Sequence, residues 1–316
     1  MLRVGAISNS RSRRNKHRLA EVREALAGHA EVRHVELEGV AGMAETLAAF
    51  AADEIDLLLV SGGDGTVQSV LTALFERRAF ETLPTLAVLP RGTTNMIAAD
   101  AGVPPARISR LLALARDEAL APLLVERRVL RLENARDVGP QYGMFFGGAG
   151  IYRAIVACRT QVHPWKLVAD AAAAVTLVGL LGRWLVGSGR DDDVVRGDRI
   201  AIVVDGEEKA VGDYLLVLAT TLDRLLMGSR PFWNDAGCNF RFTSIAYPPT
   251  RLLRHVRSVL YGGAERCLPE GYDSTGAASV ELTMSCPFTL DGELFEPAGG
   301  APVVLTAPET VRMVRL

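Results

Sequence analysis

The chain has 316 residues, of which 49% are hydrophobic and 23% charged, and its formal net charge is -2. That length supplies ample core and predicts about two domains, and the near-neutral charge argues against a general nucleic-acid binder. Four scattered cysteines with no CxxC pair, and five histidines without metal spacing, suit a reducing compartment and make no zinc site.

In chain order, Arg3 to Ser8 reads as a strand, and the opening MLRVGAISNS lacks the long apolar region of a signal peptide. A cytoplasmic location is expected. A basic stretch follows (Arg11, Arg13, Arg14, Lys16, Arg18), which suits either phosphates and anionic headgroups or a plain solvated loop. A helix runs to about Ala27, Glu31–Leu37 alternates like a strand, and Met43–Ala52 is helical. The next segment, Leu57–Thr66, reads LLLVSGGDGT. Its apolar run has the character of a buried parallel strand. The glycines after it let the backbone turn and approach a ligand closely.

Amides in such a loop, with the N-terminus of the following helix, favour an anion, most often phosphate. Gly62, Gly63, Gly65 and Thr66 are therefore candidate nucleotide-binding residues. Asp64 is the candidate magnesium ligand, because a carboxylate beside phosphate needs a cation. The alternative for Asp64 is helix capping. After a helix carrying Val67, Val70, Leu71 and Leu74, Leu86–Pro90 forms a second apolar strand. It ends in Arg91, Gly92, Thr93, Thr94 and Asn95, and a helix starts at Met96. Ligands of open parallel sheets bind at such carboxyl ends, and this loop offers a charge, two hydroxyls and an amide. Pro104 and Pro105 precede a further helix, Arg107–Arg116.

The pattern changes after Leu123. Val125–Leu132, Gln141–Phe146, Arg199–Asp205, Tyr214–Ala219, Asn239–Ala246, Ala278–Cys286 and Val303–Ala307 read as strands separated by turns. The expected fold is α/β, with a parallel-sheet nucleotide-binding domain over 1–123 and a β-rich sandwich over 124–316. The apolar stretch Leu167–Val186, with Trp165 and Trp184 near its ends, is about long enough for a membrane helix. Asp170, Arg183 and four consecutive alanines argue instead for a buried, pocket-lining or surface-docking helix.

GGDGT at Gly62–Thr66 and LPRGTTN at Leu89–Asn95 resemble the two signatures of the diacylglycerol kinase catalytic-domain family, which includes bacterial lipid kinases, sphingosine kinases and ceramide kinases. NAD kinases share the first motif. Asn9 matches the Asn that ends the family's first strand, and Leu290, Asp291, Gly292 and Glu293 match its DGE motif. The resemblance implies ATP and Mg2+, with Asn9 among the nucleotide-binding residues. It also implies Asp291 as the base that takes the acceptor proton and Glu293 as its support. Without the family, DGE reads as a turn between two strands. The implied partners are a lipid substrate, transient contact with the inner face of the membrane and, at most, a second copy in a homodimer; nucleic acid is not expected.

In that family the final strands often return to the first domain, as Val311–Leu316 could. The chain departs from the pattern at Met96, where an Asp is usual; Asp100, four residues on and on the same helical face, could partly substitute. Three readings stay open: a lipid kinase for diacylglycerol or a sphingoid or ceramide acceptor, an NAD kinase-like enzyme, and a non-catalytic nucleotide- or lipid-binding relative. No Walker P-loop and no GxGxxG with a downstream acidic residue is present.

Overall fold

The computed structural model describes residues 2–11, 15–29, 32–157, 159, 196–209, 211–234 and 237–316. Leu167–Val186, Arg13 and Arg14 lie outside the described residues, as do the side chains of Lys16 and Arg18. Among the described residues no helix is long and apolar enough to cross a membrane. Two compact units emerge, Met1–Arg127 with Thr310–Leu316, and Arg128–Glu309.

The first unit alternates strand and helix: β1 (Val4–Asn9), α1 (Asn15–Ala27), β2 (Val32–Leu37), α2 (Met43–Ala52), β3 (Leu57–Gly62), α3 (Asp64–Arg77), β4 (Thr85–Pro90), α4 (Met96–Asp100) and α5 (Ile108–Arg116). Its strands pair in parallel in the order β2-β1-β3-β4. Every residue of β3 is buried, as its unbroken apolar run requires of a central parallel strand. Alternate residues of the strands (Val4, Ala6, Leu57, Leu59, Ala87, Leu89) share one core with Val22, Leu26, Leu111 and Ala115 of the helices. Gly5 lets Phe50 of α2 lie on β1, for a Cβ there would stand 2.8 Å from the ring. The chain's last strand, β16 (Val303–Val314), supplies Met313 as the parallel partner of Leu86.

The second unit is strand-rich and antiparallel, built from β5 (Leu124–Glu133), β6 (Gln141–Gly143), β7 (Phe145–Ala149), α6 (Gly150–Ala157), β8 (Asp198–Val204), β9 (Glu207–Glu208), β10 (Gly212–Thr220), β11 (Phe240–Ala246), α7 (Leu252–Tyr261), β12 (Tyr272–Ala277), β13 (Ser279–Met284), β14 (Phe288–Leu290) and β15 (Glu293–Phe295). This mixed architecture, a parallel α/β sheet followed by a strand-rich region, is the fold class that the residue pattern predicts. The ladder branches at β10: Gly212–Tyr214 pair with β8, Leu216–Thr220 pair with β7, and the irregularity between Tyr214 and Leu216 separates the two registers. Phe146, Phe240, Phe288 and Leu290 sit fully buried in its core with Ile200, Val280 and Leu305. Gly147 and Gly148 of β7 are required by space, because a Cβ would stand 2.4 Å from Ile151 and 2.8 Å from Val217.

Candidate active site

In the first unit the ends of β3 and β4 lie side by side, Gly62 opposite Pro90, and the Arg91 N–H donates to the Gly62 carbonyl at 2.9 Å. The two glycine loops touch. A Cβ on Gly92 would lie 2.3 Å from the Cα of Gly63, inside any tolerable contact, so only glycine permits this approach. Gly62 is equally constrained, since its Cβ would meet the Thr66 side chain at 2.5 Å. Gly92→Ala should therefore destabilise the first unit by about 1–3 kcal/mol, the usual cost of forced overpacking. Denaturant unfolding checks this, and an unchanged midpoint would contradict the contact.

Polar side chains fix both loops. Asn9, at the end of β1, donates its amide to the Thr66 hydroxyl at 2.9 Å and accepts the Arg11 N–H at 3.0 Å. Asn95 has left-handed backbone (φ 53), and its side chain accepts the Gly92 N–H at 2.6 Å and donates to the Gly92 carbonyl at 3.0 Å. These two residues thus shape the loops from within. Gly63, Gly65 and Thr93 are partly accessible and Thr94 is exposed, so they form the accessible surface of the two loops. Gly63 caps α3 without a side-chain acceptor, which leaves the first turn of a 14-residue helix as an anion-favouring terminus.

Asp64 has a role the motif did not disclose. Its carboxylate is buried and accepts the N–H groups of Met96 and Ile97, each at 3.0 Å. The first residue of α3 thereby caps α4, across 32 residues of chain. Burial pushes the Asp64 carboxyl above the usual range, and the surrounding backbone N–H groups offset this only in part. Each Asp64 oxygen accepts one N–H, and a carboxylate offers about four acceptor positions, so these bonds do not exhaust it. No group of three or more metal-binding side chains occurs among the described residues. Through these two bonds Asp64 locks the second loop to the first.

The structure places three more residues of this loop and its helix. Arg91 is almost wholly buried and meets Glu21 of α1 at 3.1 Å, so its charge is matched inside the unit. Asp100 sits at the opposite end of α4 from the loop, buried and paired with Arg127 at 2.7 Å. Met96 itself is buried and contributes its backbone N–H.

In the second unit Asp291 repeats the device. It is 3% exposed, and its carboxylate accepts the N–H groups of Met144 and Phe145 at 2.9 Å, while its own N–H donates to the Phe145 carbonyl at 2.8 Å. Asp291 and Gly292 both have positive φ (49 and 87), forming the tight hairpin turn between β14 and β15. A carboxylate offers about four acceptor positions, so two backbone donors do not exhaust it. Gly143 makes room for it, since a Cβ there would lie 2.4 Å from its oxygen. Glu293 is exposed on β15, and the groups that hold Asp291 are Met144 and Phe145. Sequence reading missed both, and the Gly143 that precedes them was the available signal. Arg159 also reaches this turn, donating to the Gly292 carbonyl.

With this geometry in place, the likeness to known proteins can be set beside it. Residues 3–124 match the model of the diacylglycerol kinase catalytic domain. Over that stretch the chain is similar to the diacylglycerol kinase catalytic-domain family. "Probable lipid kinase YegS-like" of Stenotrophomonas maltophilia is 29% identical over 214 residues, covering 64% of this chain and 66% of that relative. A Bacillus subtilis protein named "Diacylglycerol kinase" is 43% identical over 54 residues, 17% of each chain. The matched stretches thus span less than two thirds of these relatives' lengths. Two Bacillus anthracis crystal structures described as diacylglycerol kinases share the fold, with TM-scores of 0.66 and 0.61 at 18% and 17% identity. They cover 99% and 98% of this chain, and the matches take in 97% and 96% of theirs.

Proposed function

We propose that this chain is an ATP-dependent lipid kinase that transfers the γ-phosphoryl group to a hydroxyl of diacylglycerol or of a sphingoid or ceramide-type lipid. The observation that carries the reading is the pair of touching glycine loops, Gly62–Thr66 and Gly92–Asn95, interlocked through Asp64 at a helix N-terminus. Phosphoryl transfer asks the protein mainly for positioning and charge stabilisation. In this reading Gly63, Gly65 and the first turn of α3 receive the nucleotide phosphates through N–H groups, Gly92 lets the second loop lie close against the first, and Thr93 and Thr94 offer hydroxyls at the loop surface. Asn9, Thr66 and Asn95 keep these groups in place, and Arg91 braces the loop through Glu21. Mg2+ bound with the nucleotide would supply charge neutralisation at the phosphates, with Asp64 the carboxylate of this loop.

Asp291 takes the proton of the acceptor hydroxyl at a carboxylate oxygen, which requires hydrogen-bond reach in the bound state. Its orientation is set by Met144 and Phe145, with Glu293 at the same hairpin. In this reading the enzyme works in the cytoplasm and makes transient contact with the inner face of the membrane, where its acceptor resides.

The purified chain, supplied with radiolabelled ATP and Mg2+, is offered diacylglycerol, sphingosine and ceramide in separate detergent micelles, and NAD in solution. Label is expected in the organic phase with one of the lipids. Label on NAD would overturn the lipid acceptor, and no transfer to any acceptor with ATP still bound would favour the non-catalytic alternative that Met96 suggests.

A further inference from the structure

The second unit carries a face whose charge is answered by no described group. α7 is amphipathic: Val259, with Leu252 beside it, packs on Trp233, Ile245 and Tyr272. On the opposite side Arg254, Arg257 and Tyr261 fall at positions i, i+3 and i+7 and share one exposed stripe, with Arg251 just before the helix. The segment from Arg251 to Tyr261 contains no acidic residue. Among the described residues Arg251, Arg254 and Arg257 form no ion pair. Nearby charged groups are otherwise engaged: Arg241 holds Asp223 at 3.1 Å, and Arg266 closes the helix C-terminus by donating to the Ser258 carbonyl at 2.7 Å. Glu265, beyond the helix, is exposed, and His255 rests edge-on against Tyr272, 6.0 Å between rings.

A second element joins this face. The Arg230 N–H donates to the Leu260 carbonyl at 2.7 Å, which lays the 222–230 loop against the last turn of α7. The Leu225 N–H donates to the Ser229 carbonyl at 2.8 Å, and Met227 and Gly228 between them have positive φ (58 and 68). Met227 therefore stands in a tight turn, 44% exposed, and Tyr261 is 49% exposed. Arg224 of the same loop is exposed as well. Exposed guanidinium groups flanked by an exposed thioether and an exposed aromatic ring suit one chemistry above others, the phosphate and headgroup layer of an anionic bilayer.

We propose that α7 and the 222–230 loop form a docking face for anionic membrane, with Arg224, Arg251, Arg254 and Arg257 on lipid phosphates and Met227 and Tyr261 entering the headgroup region. This deepens the lipid-kinase reading and rests on it for the reason the protein visits a bilayer. Binding itself needs no turnover. The test is sedimentation of the full chain, without nucleotide, with phosphatidylcholine vesicles containing phosphatidylglycerol and with phosphatidylcholine alone. Wild type is expected to bind the anionic vesicles and to lose binding as salt rises. Arg254→Glu/Arg257→Glu is expected to weaken that binding by at least about tenfold, while Arg254→Lys/Arg257→Lys retains it. Arg254→Gln/Arg257→Gln, which avoids charge reversal on the helix, replaces the first variant if its melting curve departs from wild type.

Equal binding to both vesicle types, or wild-type binding by the charge-altered variant, would overturn the proposal. Phosphoryl transfer to acceptor in neutral detergent micelles should be the same in wild type and the variants. Vesicle binding that depends on these arginines, in a protein that phosphorylates no lipid, would remove the kinase reading and leave the docking face standing.

Discussion

Asp291→Asn is expected to abolish nearly all phosphoryl transfer while the protein stays folded and binds nucleotide. Removing a positioned general base typically costs 10²–10⁴-fold in rate, so kcat should fall by about that factor. The amide oxygen that replaces the carboxylate can still accept one of the two N–H groups now bound by Asp291, from Met144 or Phe145. Its NH2 then faces the other donor, at a stability cost of about 1–3 kcal/mol for one buried N–H left without an acceptor. Turnover kinetics at saturating ATP, with a melting curve in parallel, separate the two effects. Unchanged kcat in a folded variant would remove Asp291 as the base.

Asp64→Ala is expected to act on the nucleotide side by a different route. It strips the acceptor from the N–H groups of Met96 and Ile97, both in buried residues. Each buried donor left unsatisfied costs about 1–3 kcal/mol, partly offset because a desolvated carboxylate is also removed. The start of α4 then loosens, and with it the Gly92–Asn95 loop, so ATP affinity should fall along with stability. The pH dependence has a definite sign. Burial raises the Asp64 carboxyl, so the folded chain holds this proton at pH values where the unfolded chain has released it. The stability that Asp64 contributes is then fully present below the ordinary carboxylate pKa, near 3.9, and declines as pH rises through the raised folded value. The melting-temperature gap between wild type and Asp64→Ala should therefore be widest in acid and shrink toward neutrality. A gap that widens with rising pH would show that the carboxylate is stabilised as the ion.

Much of the first unit was legible in its residues. LLLVSG and TLAVLP announce central parallel strands because burial on both faces leaves no place for alternation. The glycine loops were legible for a related reason, since such a strand ending in glycine has few other uses. What could not be read was which groups the polar residues meet. The bond from Asp64 to Met96 joins two loops that only the pairing of β3 with β4 brings together, and nothing local marks it. Capping was the plain alternative for Asp64, and the structure does give it a capping bond, but to the helix of the other loop. Arg91 looked available for phosphate because arginine in a loop usually is, and its burial against α1 depends on tertiary packing alone.

The second unit was read more coarsely. Its strands were legible from alternation, yet β12, with Asp273, Ser274, Thr275 and Gly276 at its centre, carries no apolar signal of its own and is held by its ladder with β11. α7 was missed although Leu252, Val256, Val259 and Leu260 keep helical spacing, because the arginines between them mask the pattern in a region read for strands. At DGE the turn and the functional motif are one arrangement. The left-handed pair Asp291–Gly292 makes the hairpin and aims the carboxylate at the N–H groups of Met144 and Phe145.

The placement of Met313 beside Leu86 bears on how the first unit completes its sheet. Thr310–Leu316 belong to the same unit as Met1–Arg127, so β4 finds its outer neighbour in residues that lie more than two hundred positions away in sequence. A variant without Thr310–Leu316 would keep both signature motifs and leave an open strand edge, a ready template for pairing with other chains. Loss of these few residues would then be felt first as aggregation, well before any question of substrate arises.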